Sequence, residues 1–262
     1  MTKVLVISDL HCGNLSGLTP PGLDAKPGRG LIEQLKAYDF RKWHWNQYQK
    51  AVTGIGKIDI VIVNGDMIDG PGEASGGTEE LTVNRQDQIA MAVESLRAIP
   101  GSPSFFMTYG TSYHTGREED WERDVAEAMN AKIGDDDNLK IHGVIFNYKH
   151  HLSASQIPHG RFTAVARDKL WKDMWALRGE YPQSNVIIRS HVHYYGGAFG
   201  YDVDPWVALT TPALQGYGSK YARRLSGTVD MGVLVFEVEK GGYFSHQPIL
   251  WRQKYKEPTE AI

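Results

Sequence analysis

Short apolar runs recur along the chain, and each breaks at once into polar residues. Residues 4–7 lead into Ser8, Asp9 and His11, and 60–63 into Asn64, Gly65, Asp66 and Asp69. Residues 105–107 lead towards Gly110, Thr111, Tyr113 and His114, 144–146 towards His150 and His151, and 186–188 into Ser190, His191 and His193. Continuous runs rich in Val, Ile and Phe predict strands buried on both faces. Between them, 31–52, 86–99, 121–129 and 162–177 carry apolar residues at mixed three- and four-residue spacing, which predicts helices; Pro100 stops the second and Gly179 the last. Strands alternating with helices build βαβ units around a largely parallel sheet. After His193 the pattern changes. Residues 207–211 and 233–238 read as strands and Lys240, Gly241 and Gly242 as a hairpin turn, so the C-terminal third is expected to be antiparallel. The expected class is α/β, a single domain over 1–262 with a second sheet.

Composition narrows this picture. A chain of 262 residues, 41% apolar, has enough apolar surface for a sizeable core, which excludes a disordered protein. A net charge of −3 argues against a basic nucleic-acid coat or a polycationic membrane binder. The one cysteine, Cys12, forms no intrachain disulfide, which favours a reducing compartment. The first apolar run is too short for a signal peptide or a membrane span, so the expectation is a soluble, cytoplasmic protein. Nothing in the sequence speaks to its oligomeric state.

The polar clusters all sit just past the carboxyl end of a predicted buried strand, the edge at which α/β sheets bind ligands. Each has an ordinary reading when taken alone. Asp9-x-His11 fits a turn, Asp66 or Asp69 fits a helix cap, and His191-x-His193 on a strand simply points two imidazoles to one face. Together, in order, at successive strand ends, they point to metal. Carboxylates with neutral imidazoles suit Zn, Mn or Fe better than Mg or Ca. Asp9, His11, Asp66, His150, His191 and His193, with His114 nearby, are more donors than one tetrahedral ion needs. Two ions sharing a carboxylate would use them all, and paired metals suit phosphoester displacement.

Asp9-x-His11, Gly65-Asp66-x-x-Asp69, the turn from Gly110 to His114, His150 and His191-x-His193 resemble, in kind and in order, the motifs of the calcineurin-like metallophosphoesterase superfamily. The resemblance implies a four-layer α/β/β/α sandwich, two mixed sheets flanked by helices, with a dinuclear metal site at the strands' C-terminal edge. It implies that Asp9, His11 and His193 hold the first metal, Asp66 bridges, and His150 and His191 hold the second. Asp69 would support rather than ligate, and His114 would stand beside the phosphate to stabilise charge or protonate the leaving group. The ions would be two divalent or trivalent transition metals, Mn, Zn or Fe, and a metal-bound hydroxide the nucleophile.

Two departures stand out. The superfamily's asparagine ligand is absent from Gly110-Thr111-Ser112-Tyr113-His114, so Thr111, Tyr113 or water takes its place; this variant looks like that of phage and prophage members. Gly70, not arginine, follows Asp69, which counts against a protein phosphatase. Of the adjacent histidines, resemblance favours His150 over His151. Cys12 reads as a buried thiol rather than a ligand, and His44, His142, His159 and His246 fall outside the clusters.

Loops at 13–30, 70–84 and 194–205 follow the metal-bearing turns and are candidates to wall the pocket, the first as a lid. Residues 217–224 mix cations with aromatics, suited to a phosphate or a base but read first as a solvated turn; Asp135, Asp136 and Asp137 read the same way. Trp43, His44 and Trp45 read as packing. The expected activity is hydrolysis of a phosphoester, a phosphodiester by preference, since Arg117 is the only cation near the motif turns. A phosphomonoesterase, a nuclease and a metal-stabilised binding module are the alternatives. Nucleic acid is not indicated by charge, no membrane partner is expected, and the residues that contact substrate stay unassigned.

Overall fold

A computed structural model describes residues 1–24, 32–115, 120–153, 155, 157–200, 205–217 and 227–253. The strands are β1 (Thr2–Ile7), β2 (Ile60–Asn64), β3 (Ser104–Thr108), β4 (Lys132–Gly134), β5 (Asp136–Ile141), β6 (Val144–Lys149), β7 (Val186–Arg189), β8 (Gly196–Gly200), β9 (Trp206–Thr210), β10 (Met231–Val238) and β11 (Phe244–Trp251). The helices are α1 (Ile32–Ile55), α2 (Arg85–Arg97), α3 (Ser112–Thr115), α4 (Trp121–Ala128) and α5 (Gly160–Leu177). One sheet has the order β11-β10-β1-β2-β3-β4 and the other β5-β6-β7-β9-β8.

Strand alternation sorts the side chains into layers. Leu5, Ile7, Val61 and Val63 face one way and pack with Tyr48 and Val52 of α1, Met91 and Leu96 of α2 and Val125 of α4. Val4, Val6, Ile62 and Phe236 face the other way, against Phe146, Val186, Ile188 and Leu209 of the second sheet. The far face of that sheet, through Ile187 and Ala208, receives Ala164 and Val165 of α5. The molecule is therefore a four-layer α/β/β/α sandwich, and the sheet residues that the sequence read as buried on both faces are so because every sheet face is covered.

Several details differ from the sequence reading. The C-terminal third is not wholly antiparallel: β9 runs parallel to β7, whereas β10 returns to the first sheet and pairs antiparallel with β1, Thr2 opposite Val238. Asp136 is not in a solvated turn. It opens β5, where Lys172 reaches it at 2.5 Å and Asn147 at 2.7 Å. Asn84, rather than Asp66 or Asp69, caps α2, accepting from the amides of Gln86 and Asp87. Residues 13–20 are almost wholly buried and tied down by bonds from Leu18 N to Leu10 O and from Gly216 N to Ser16 O, so this part of the expected lid is a fixed wall. Residues 25–31, Arg117, 201–204 and 218–226 lie outside the described residues. No helix among the described residues is long and apolar enough to cross a membrane.

Candidate metal centre

The predicted clusters converge where the strands of both sheets end. The turns after β1 and β2 continue the parallel pairing of their strands: Asp9 N donates to Gly65 O, His11 N to Asp66 O and Cys12 N to Met67 O, at 3.0 to 3.1 Å. From the second sheet, Ser190 N donates to His150 O at 2.8 Å and His191 N to Asp9 Oδ1 at 3.2 Å. Asp9, His11, Asp66, His191 and His193 all hold positive φ, between 44° and 72°, a conformation that costs a non-glycine residue about 1 kcal/mol or more. His191 and His193 lie in a turn just past β7, which ends at Arg189, as the placement of the polar clusters after strand ends predicts; the ordinary reading of the pair on a strand with both rings on one face does not hold.

That turn sends its histidines to different places. Asp9, His11 and His193 form one group of potential ligands and Asp66, His150 and His191 another, while His11 also groups with Asp69 and His114; the donor atoms within each lie no more than 4.8 Å apart. Asp66 stands between the groups: its Oδ2 is 3.0 Å from His150 Nε2, 4.0 Å from His191 Nδ1 and 3.8 Å from His11 Nε2. His193 Nε2 lies 3.2 Å from Asp9 Oδ1. His150 is buried, while its neighbour His151 is exposed and stacks on the His191 ring, centroids 5.0 Å apart.

Three imidazoles are oriented by their second nitrogen. His150 Nδ1 donates to Asn64 O at 2.7 Å, His114 Nδ1 donates to Asp69 O at 2.7 Å, and His11 Nδ1 meets Asp69 Oδ1 at 2.6 Å. Each bond turns Nε2 towards the cluster, the arrangement that metal-binding histidines use. Asp69 is held in turn by Asn14 Nδ2 at 2.9 Å. Although burial works to raise its pKa, His11 and His114 keep the Asp69 carboxyl down at about 2. Burial opposes a charged His150, yet Asp66 and Asp9 outweigh it and push its pKa up to about 10; Asp66 itself is held well below the usual carboxylate range by His150 and His114 against its own burial. Two atoms in the cluster, Asp9 Oδ2 and His11 Nε2, are buried with no hydrogen-bond partner among the described residues. Buried polar atoms are nearly always paired, and an orphaned carboxylate oxygen beside an orphaned imidazole nitrogen fits a cation. The mixed carboxylate and imidazole donors fit Zn, Mn or Fe.

Close approach of the turns depends on two glycines. A Cβ on Gly65, whose φ is 77°, would stand 2.5 Å from His150 Nδ1, and one on Gly110 would stand 2.1 Å from Asp66 Oδ1. Thr111, which follows, donates its amide to Asp66 Oδ1 at 2.6 Å. Its hydroxyl lies 3.3 Å from Asp66 Oδ2, 3.4 Å from His150 Nε2 and 3.1 Å from His191 Nδ1. Tyr113 is 40% exposed, its ring edge-on to His114.

Sequence reasoning missed Glu122. Fully buried on α4, it accepts from the amides of Met67 and Gly110, both at 2.6 Å, and so ties the Asp66 turn to the Thr111 turn. Burial, with Asp66 nearby, pushes its pKa up to about 8. It has no motif partner in sequence; only its place in the first turn of a helix, two residues after the cap Asp120, hints at a role. Also missed is a buried polar chain beneath the site. Thr108 donates to Asn64, Asn64 to Ser190, and Thr211 lies 2.7 Å from both Ser190 and Ser8. The other histidines stand apart: His44 is in the core, and His142, His159 and His246 are at the surface. Cys12 is buried, its thiol donating to Leu18 O.

Among solved structures the chain is similar to zinc-complexed Vps29 from Entamoeba histolytica, with 13% identity over 95% of this chain and 99% of that one and a TM-score of 0.42. It is similar to an archaeal phosphodiesterase, with 13% identity over 95% and 100% and a TM-score of 0.44, and to Vps29 from Chaetomium thermophilum, with 13% over 96% and 98% and a TM-score of 0.42. No curated protein matches it. Residues 2–209 match the model of the calcineurin-like phosphoesterase family, and the chain, with its sandwich fold and its clustered Asp and His residues, belongs to that family.

Proposed function

We propose that the protein hydrolyses phosphodiesters at a dinuclear metal centre. The observation that carries this reading is the position of Asp66 Oδ2, within 4.0 Å of histidines from both ligand groups. Asp9, His11 and His193 would hold the first ion and His150 and His191 the second, with Asp66 placed to serve both. Bound there, Mn, Zn or Fe supplies a nucleophile at neutral pH and stabilises charge on the entering and leaving oxygens. Asp69 and the carbonyls of Asn64 and Asp69 fix the imidazoles of His11, His150 and His114, which spares these rings reorganisation during the reaction.

His114 is the proton donor to the leaving group. Its Nδ1 is engaged by Asp69 O, which leaves Nε2 as the atom that carries a proton to substrate. Burial works against its charged form, but Asp66 and Asp69 outweigh it and raise its pKa. Preference for a diester rests on charge. The turns at 8–13, 65–70, 109–115, 150–152 and 190–194 contain no Lys or Arg, and a monoester dianion calls for more cations than a diester monoanion.

The test is hydrolysis of bis-p-nitrophenyl phosphate against p-nitrophenyl phosphate by metal-stripped protein reloaded with Mn, Zn or Fe. Diester cleavage that is the faster, needs added metal and disappears together with bound metal in Asp66→Ala is expected. Faster monoester cleavage would make the protein a phosphomonoesterase, and no turnover at full metal loading would make it a binding module.

A further inference from the structure

Resting on the dinuclear reading, we propose that the hydroxyl of Thr111 is an oxygen ligand of the second metal, beside Asp66, His150 and His191. The geometry already has the form of a ligand set. Four ligands about 2.0–2.1 Å from a tetrahedral ion stand about 3.3 Å from one another. Thr111 Oγ1 lies 3.3, 3.4 and 3.1 Å from the donor atoms of Asp66, His150 and His191, which come from β2, β6 and β7 turns remote in sequence. The position is not left to side-chain chance. The Thr111 amide holds Asp66 Oδ1 at 2.6 Å, and the preceding Gly110 amide is held by Glu122 at 2.6 Å, so the residue is clamped from both sides. Gly110 lets the turn come this close, since any Cβ there would meet Asp66 Oδ1.

Tyr113 is 40% exposed with its ring set against His114, whereas the Thr111 hydroxyl is within 3.4 Å of all three donor atoms. A neutral hydroxyl is a weaker donor than a carboxylate. The second ion then has Asp66 as its only anionic ligand, whereas the first has Asp9 as well as Asp66. The two ions are held unequally, the second more loosely.

Manganese titration followed by calorimetry and electron paramagnetic resonance tests this on the full chain. Wild type is expected to take two equivalents, the second weaker, with the spin-coupled spectrum of neighbouring ions. Thr111→Val, which keeps shape and removes the hydroxyl, should weaken the second equivalent tenfold or more and leave the spectrum of isolated Mn; Thr111→Ser should behave as wild type. A Thr111→Val protein that binds both equivalents as wild type does would overturn the assignment. Loading Thr111→Cys with cobalt is a second reading that does not depend on the valine variant folding. A thiolate-to-cobalt charge-transfer band, absent from wild type with its buried Cys12, is expected, and its absence would overturn the assignment. If wild type itself takes fewer than two ions, it is the dinuclear reading that fails.

Discussion

At the scale of single residues, the site is built from side chains whose roles are set by what their other end touches. Asp69 sets the tautomer of His11 by meeting Nδ1, and its backbone carbonyl does the same for His114. The two histidines then differ. Burial lowers the pKa of His11 despite Asp69, as suits a ligand, while Asp66 and Asp69 raise that of His114, as suits a proton donor. His114→Ala is therefore expected to lower turnover by about 10²–10⁴-fold on a poor leaving group while both ions stay bound. Steady-state rates on esters of graded leaving group, with metal content measured on the same samples, check this. An equal loss on every leaving group would assign His114 to phosphate binding instead.

At the scale of elements, α1 is fastened to the first sheet through His44. Its Nε2 donates to Leu214 O at 2.9 Å, and Trp251 Nε1 at the end of β11 donates to its Nδ1 at 3.0 Å. That pairing needs the neutral ring. Burial, stronger than the Leu214 carbonyl, takes its pKa down to about 4 from the usual 6.5. Between these values the unfolded chain binds a proton that the folded chain refuses, so this contribution to stability is whole above about pH 6.5 and is lost as pH falls towards 4. His44→Gln keeps the donor to Leu214 and cannot titrate. The stability gap between wild type and variant, from urea unfolding, should shrink by about 2 kcal/mol between pH 7 and pH 5; an unchanged gap would show that His44 does not titrate as described. Helix α5 shows the limit of reading elements from pattern. Its apolar periodicity was visible, yet Leu170, Trp171 and Met174 are exposed, and Lys169 and Lys172 are turned inwards. The inward face meets Asp136 of β5 and the indole of Trp206, partners that a cation suits and that no local pattern announces.

At the scale of the whole molecule, the edge that carries the candidate site exists because two sheets end at the same level. The chain of Thr108, Asn64, Ser190, Thr211 and Ser8 crosses between them under the site and fixes their relative height. Thr211 is its joint. Thr211→Val leaves two buried hydroxyls short of a partner and should cost about 1–3 kcal/mol, with melting lowered by about 2–4 °C for each kcal/mol in a domain of this size. Thr211→Ser should restore most of it. Thermal unfolding of the two variants is the measurement, and a valine variant as stable as wild type would show that the chain does not hold the sheets.

The layered fold and most of the candidate site were legible because both leave local marks. A strand buried on both faces is an unbroken apolar run, and a candidate donor at its end is an Asp or His in the next few residues; Asp9, His11, Asp66, His114, His150, His191 and His193 were picked out in this way, and the fold brings them together. Set beside the family it resembles, the sequence also announced the missing asparagine. What it left open was whichever depended on contacts between distant segments. That His150 and not His151 is buried beside Asp66 depends on how the chain leaves β6. The separation of His191 from His193 came from left-handed backbone that no residue type there prefers. Thr111 was one of three candidates for the asparagine's place, and only the fold shows its hydroxyl beside Asp66, His150 and His191; Glu122 and the Thr211 chain carry no motif, because a buried carboxylate and a run of hydrogen bonds take their meaning from neighbours that only folding supplies.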